Sequence, residues 1–393
     1  MTNNKKRRTE RRKKWKKHEK ILKQQKDSGD YKGYTLPKEF MSLKKYEYRK
    51  SRKVGKKPNK KKPNIINLPD MFDFGNNIEK VVQTTSDIEN YVSNPLIAML
   101  NFSINITNTQ RMSLAGVLYL VGQMSKMIYA KYKISKKTLY YNGDAPRSMD
   151  EKTKFLLSKI GYWEHFGVST PYELDDDTKD NYFLKIITDN KRSTKSVETL
   201  RIFFEKHTNF FGDNYNLIYR FDDAIQESLA NSVEHAYGDN YNKRGIETGK
   251  WWLCGHYDKE DNSIILVAYD YGMGIRKSVT RHLNEEADLG LKDRFGNFVK
   301  SDAKIIKMGV DRDLAKYKQY KEGGRGQGLK KFKEFAIEAG YDCELTIVSA
   351  KGKYNFKYNV VKQKQEDNLT TLSNPIDGTL IKWKLKLVGE QGV

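Results

Sequence analysis

The stretch Asp223-Ala-Ile-Gln-Glu227-Ser-Leu-Ala-Asn231-Ser-Val-Glu234-His235-Ala-Tyr-Gly238 decides how this 393-residue chain is read. Ile225, Leu229, Val233 and Ala236 recur at spacings of four and three, which predicts a helix with one apolar face. Glu227 and Asn231 stand four apart, so both would project from one side of that helix toward the same point. Further on, Ile264-Ile-Leu-Val-Ala-Tyr-Asp270-Tyr-Gly272-Met-Gly274-Ile275 has the pattern of a buried strand that ends in an aspartate and two glycines. Then come Gly323-Gly324-Arg325-Gly326-Gln327-Gly328-Leu329 and a helical run from Lys330 to Ala339. A glycine-rich turn after a strand is commonly only a turn, so the information lies in the order and spacing of the three segments.

In that order the segments resemble the N box, the DxGxGI box and the GxGxGL box of the GHKL ATPase superfamily, which includes gyrase B, heat-shock protein 90, histidine kinases and MutL. Asp377-Gly378-Thr379-Leu-Ile-Lys-Trp resembles the late GT strand of the same fold. The resemblance covers roughly residues 199–387 and implies a Bergerat-type α/β sandwich that binds ATP with Mg2+.

It also implies roles. Phosphoryl chemistry is mostly positioning and charge neutralisation, so the site needs a base for water, a metal ligand and donors around the phosphates. Glu227 would be the catalytic base, a helix-borne carboxylate able to polarise water. Asn231 would ligate Mg2+ through a hard oxygen. Asp270 would accept a hydrogen bond from the adenine amine, supported by Thr379. Gly272 and Gly274 would let the backbone approach the base and turn sharply. Gly324, Gly326 and Gly328 would present N–H groups to phosphates at a helix start, with Arg325 and Lys330 adding positive charge or facing solvent. His235 would contact phosphate or cap the helix end. Trp251 and Trp252 read as sheet core.

The charge distribution is uneven. Residues 1–64 hold 26 Lys and Arg against 6 Asp and Glu, a net of +20, out of +23 for the whole chain. Apolar periodicity is thin there, so residues 1–64 read as a largely disordered basic tail. It is either a nucleic-acid arm, with Tyr31, Tyr34, Tyr46 and Tyr48 offering stacking surfaces, or a nonspecific solvated arm. Cys254 and Cys343 lie far apart among apolar residues, which reads as core thiols rather than a disulfide. Neither a membrane-length apolar run nor a signal-peptide core occurs, so a cytoplasmic protein without membrane contact is expected.

Residues 65–170 read as a small α/β domain. A strand-like run at Leu96–Asn105 is followed by a helix over 113–132, with Leu114, Val117, Leu118, Val121, Met124 and Ile128 on one face. Thr138–Tyr141 is a second candidate strand, and a helix from Phe155 stops at Gly161. Leu100-Asn-Phe-Ser, Ser113-Leu-Ala-Gly116 and Lys159-Ile-Gly-Tyr-Trp resemble a STAS-like, anti-sigma-antagonist type module. By that resemblance Ser113 corresponds to a phosphoacceptor serine, although Arg111 and Met112 stand where the family has its aspartate; from its position alone Ser113 is an N-cap. Residues 171–198, with Asp175-Asp-Asp177, read as a linker, and 199–393 as the ATPase domain. The polar stretch Arg276–Glu322, between two phosphate-facing boxes, is expected to be a lid.

Relatives of the gyrase, MutL and heat-shock type carry a further domain after this module, and histidine kinases carry an upstream phosphoacceptor histidine, for which neither His165 nor His207 has the surroundings. The expectation is a compact ATPase shaped like the anti-sigma kinases or histidine kinases, an ATP-driven conformational switch in a bacterial regulatory or phage-defence setting. It would work with a protein partner or as a homodimer. The alternatives are a protein serine kinase of the anti-sigma type and a nucleic-acid-binding protein whose ATP site only senses ligand.

Overall fold

The computed structural model describes residues 64–93, 102–106, 108–135, 149–167, 170–171, 181–208, 211, 215–237, 249–282, 301–311 and 328–387. Residues 1–63 of the basic tail and the candidate strand Thr138–Tyr141 lie outside them. Short strands β1 (Asn64–Asn67) and β2 (Met71–Phe72) pair in parallel with β3 (Phe102–Asn105) and β4 (Arg111–Met112). Helices α1 (Ile78–Ser93), α2 (Leu114–Ser135), α3 (Glu151–Lys159) and the short α4 (Tyr162–His165) complete the first part. Ser113 does cap α2, its hydroxyl accepting the Gly116 N–H at 3.2 Å.

The main sheet has five antiparallel strands in the order β5-β6-β7-β9-β8, namely β5 (Asn181–Asp189), β6 (Trp251–Asp258), β7 (Ser263–Asp270), β8 (Asp342–Asn359) and β9 (Lys364–Lys386). The fold is mixed helix and strand around this sheet, an α+β arrangement. Strand β5 occupies what reads from sequence as a linker over 171–198. It pairs with β6 from Asn181↔Asp258 to Asp189↔Trp251 with one irregularity, and Ser193 then caps α5 (Thr194–His207) by accepting the Ser196 N–H. Over 181–198 the linker is thus corrected to an edge strand and a helix start, while residues 172–180 lie outside the described part. In the edge strand Tyr182, Leu184 and Ile187 pack on one core and Phe183 and Ile186 on the other, a near-continuous apolar run whose strand signal is masked by the acidic run before it.

Both faces of the sheet are covered, which explains the near-continuous apolar runs in its strands. On one face Leu253, Leu266, Leu345 and Trp383 pack with Phe204 of α5 and with Phe221 and Ile225 of α6 (Tyr215–Ala230). The same core takes in α7 (Gly274–His282), α8 (Asp302–Val310) and α9 (Gly328–Glu338) through Val279, Ile305 and Phe335. On the other face Trp252, Val267, Tyr269 and Leu380 pack with Val81 of α1, with Leu118 and Val121 of α2, and with Leu157 of α3. The segment expected as a separate STAS-like domain is instead the second layer over the same sheet, sharing one core with it. Accordingly α2 is buried nearly all round over Leu114–Val121, Ala115, Tyr119 and Leu120 included, rather than on one face.

The reading of the lid also changes. Within the expected lid, Arg276 belongs to α7, and α8 is a core helix whose Ile305, Ile306 and Val310 are fully or almost fully buried. Residues 283–300 and 312–327 lie outside the described part. Leu345–Ser349 and Tyr354–Tyr358 lie in one strand, β8, and the Thr379 strand is the second half of β9. Trp251, Trp252, Cys254 and Cys343 are buried as read, both cysteines free.

Candidate functional site

The β8–β9 ladder breaks its register in the middle. Ser349 faces Thr379, Ala350 faces Ile376 and Gly352 faces Thr371, so β9 uses residues 372–378 for an excursion in which only Ile376 is paired, while β8 advances by very few. Such irregularities re-aim side chains at functional sites. The excursion delivers Asp377, Gly378 and Thr379 to the end of β7, where Thr379 stands opposite Asp270 in the ladder. Gly378 has φ +82°, and a Cβ there would lie 1.8 Å from the Asp270 carbonyl oxygen, so the turn requires glycine.

Asp270 is 6% exposed, the least solvated carboxylate of the region. One carboxylate oxygen accepts the Gly272 N–H at 2.8 Å and the other the Ser232 hydroxyl at 3.3 Å. Burial pushes its pKa up to about 7, with the Asp377 charge adding to the rise; the N–H groups of Gly272 and Thr379 and the Ser232 hydroxyl oppose it. A carboxylate kept in the sheet core at such electrostatic cost, with only partial compensation, is suited to accepting one more donor from outside the chain.

The glycine turn after Asp270 is fixed to its surroundings. The Met273 N–H donates to the Ala236 carbonyl at 2.6 Å, and a Cβ on Gly272 would meet the Ala236 Cβ at 2.4 Å. The Ile275 N–H donates to Ser349 Oγ at 2.8 Å, and that hydroxyl donates to the Gly378 carbonyl at 3.1 Å. Ser349 therefore ties the Gly274-Ile275 turn to the Gly378-Thr379 turn, and no local sequence signal marked it.

The helix bearing Glu227 reaches this turn through an unusual end. α6 passes at Asn231–His235 into a π-helical turn, closed by the Ala236 N–H on the Asn231 carbonyl at 2.9 Å. Single π turns widen a helix locally and recur at functional positions. Ser232 is in this turn and touches Asp270, so the helix and the strand end form one site. Asn231 Nδ2 is buried with no hydrogen-bond partner, an amide that lacks the partners a buried polar group normally finds. Glu227 is paired. Lys331 Nζ lies 2.9 Å from both Glu227 Oε1 and Asp223 Oδ1. Lys331 is three residues into the helix that opens at Gly328, so this triad brings α6 and the start of α9 together. The two carboxylates hold the lysine charged, outweighing its partial burial.

Of the sequence-predicted residues, Asp270, Gly272, Gly274 and Thr379 therefore cluster directly, Asn231 adjoins them through Ser232, and Glu227 joins Gly328 through Lys331. Gly324, Gly326 and Arg325 lie outside the described residues. Lys330 pairs with Glu334 on its own helix. Among the described residues no cluster of three or more His, Cys, Asp or Glu side chains could hold a metal alone. A hard cation here would rest on Asn231 with oxygens that a ligand supplies, as Mg2+ commonly does with phosphates. No described helix is long and apolar enough to cross a membrane. No protein-family model matches the chain, and no curated protein matches it.

Proposed function

We propose that the chain binds ATP with Mg2+ at the Asp270–Thr379 end of the sheet and hydrolyses it, as a GHKL-type nucleotide-driven switch in a bacterial regulatory or phage-defence setting. The observation that carries this reading is Asp270: a buried carboxylate at a strand end, beside Gly272, Gly274 and Thr379, with its pKa raised to about 7. An adenine amine donating to it would compensate a buried charge that the chain compensates only in part, which gives a reason to prefer adenine over guanine. Thr379, whose Oγ1 lies 3.3 Å from Ser349 Oγ, would share that contact. Asn231 would meet the metal that screens the phosphates. Glu227 would orient and deprotonate the attacking water, with Lys331 setting its position and charge balance. The N–H groups at the Gly328 helix start would face the phosphates.

Phosphate release distinguishes hydrolysis from protein phosphorylation. Wild type with ATP and Mg2+ is expected to release free phosphate, and Glu227→Gln to lose about 100-fold or more in turnover while binding ATP within a few-fold of wild type. Transfer of the γ-phosphate to protein, on Ser113 or a partner, would replace hydrolysis by the serine-kinase reading.

A further inference from the structure

Helix α2 approaches the site from the sheet's other face by an unusually close route. A Cβ on Gly122 would stand 2.3 Å from the Tyr269 ring, so glycine lets the helix backbone lie against the residue next to Asp270. One residue on, Gln123 Nε2 donates to the Tyr269 hydroxyl at 2.6 Å, and that hydroxyl donates to the Asp377 carbonyl at 2.8 Å. One turn further along α2, the Lys126 ammonium pairs with an Asp377 carboxylate oxygen. The Lys126 side chain is 1% exposed, so this cation is kept in the core by its pairing. The same helix thus holds Tyr269, adjacent to Asp270, and Asp377, two residues before Thr379. On the excursion itself, Glu79 of α1 accepts the Ser373 N–H, and Gln83 accepts from Asn374.

We propose that Lys126 and Gln123 are positioning residues for the nucleotide site, fixing the Asp377-Gly378-Thr379 turn opposite Asp270 so that ATP affinity depends on where α2 sits. This rests on the adenine-nucleotide reading of that site. An ion pair with a buried lysine and a relayed hydrogen bond are geometrically demanding, whereas an apolar contact would tolerate sliding. From the β8 side the excursion is held by one ladder pair, Ala350↔Ile376, and by the Ser349 hydroxyl on the Gly378 carbonyl, and the polar ties from α2 and α1 set the rest of its place. The N-terminal segment would then act on nucleotide binding from within the same core, and a partner that shifts α2 would alter ATP affinity.

The test is equilibrium ATP binding with Mg2+ by wild type, Lys126→Met, Gln123→Leu and Lys126→Met/Asp377→Leu, each checked for its folded fraction by urea denaturation. Lys126→Met is expected to weaken ATP binding by about tenfold or more in the folded fraction. Gln123→Leu, which keeps the ion pair, is expected to weaken it by several-fold with little loss of fold; it carries the test if Lys126→Met does not fold. In the double variant neither charge is left without its partner, so stability recovers while affinity stays weak. Wild-type affinity in folded Lys126→Met or Gln123→Leu, or affinity that recovers with stability in the double variant, would overturn the clamp alone. A wild type that binds no ATP would overturn the site assignment beneath it.

Discussion

Asp270→Asn should stabilise the nucleotide-free protein in neutral and alkaline solution. The carboxyl ionises near 3.8 in an unfolded chain and near 7 in the fold, so between those values the folded state keeps a proton that the unfolded state has released. Stability attached to this group is therefore full below about pH 4 and falls as pH rises, reaching its low plateau above 7. At about 1.4 kcal/mol per pH unit, the part of the loss between pH 5 and 8 amounts to about 3 kcal/mol. Asparagine does not titrate and nearly fits. Its Oδ1 can take the Gly272 N–H, and its Nδ2 can donate to Ser232 Oγ, whose own proton goes to the Ser228 carbonyl at 3.1 Å. The Thr379 N–H loses part of its acceptor, a cost of about 1 kcal/mol. Wild type has lost about 1.7 kcal/mol of this stability by pH 5 and about 4 kcal/mol by pH 8, so urea unfolding without nucleotide should find Asp270→Asn within about 1 kcal/mol of wild type at pH 5 and about 3 kcal/mol more stable at pH 8. Parallel pH profiles for the two proteins would refute the reasoning, because they would mean that Asp270 ionises normally in the fold.

Other perturbations have comparably definite outcomes. Gly378→Ala must adopt φ near +82° with its Cβ against the Asp270 carbonyl, so urea unfolding should show a loss of about 2 kcal/mol or more, together with lost ATP binding. Lys331→Met should change stability by less than about 1 kcal/mol, since the triad side chains are a quarter to a third exposed, yet it should lower ATP turnover measured as phosphate release. His165 is buried with its pKa lowered to about 3 by desolvation, with Lys250 adding to the effect. The unfolded chain takes up a proton below pH 6.5 that the fold refuses, so stability falls on acidification. His165→Phe should remove about 2 kcal/mol of the loss between pH 7 and pH 5, read as the difference between the two urea profiles.

Much of the site's framework was legible because it is local. Glu227 and Asn231 share a helical spacing, and Asp270 ends an apolar run immediately before two glycines, so short segments carried those assignments. What sequence could not show were partners set by the fold: Lys331 is 104 residues from Glu227, and Lys126 is 251 residues from Asp377. The π turn after Ala230 was hidden too, since the same apolar spacing fits an uninterrupted α-helix. The largest misreading concerned residues 65–170. Val267 and Tyr269 face the opposite side of β7 from Leu266 and Ala268, which already calls for cover on both faces of the sheet. That pattern identifies α1, α2 and α3 as the missing layer, whereas motif comparison suggested an independent domain.

The central claim, an adenine-nucleotide site at Asp270, is tested most directly by calorimetric titration of the full-length wild type and of Asp270→Asn with ATP and with GTP, all with Mg2+. The account predicts that wild type binds ATP in preference to GTP and that Asp270→Asn, though folded and more stable at pH 8, loses that preference. ATP binding of equal strength in both proteins, or none in wild type, would contradict it.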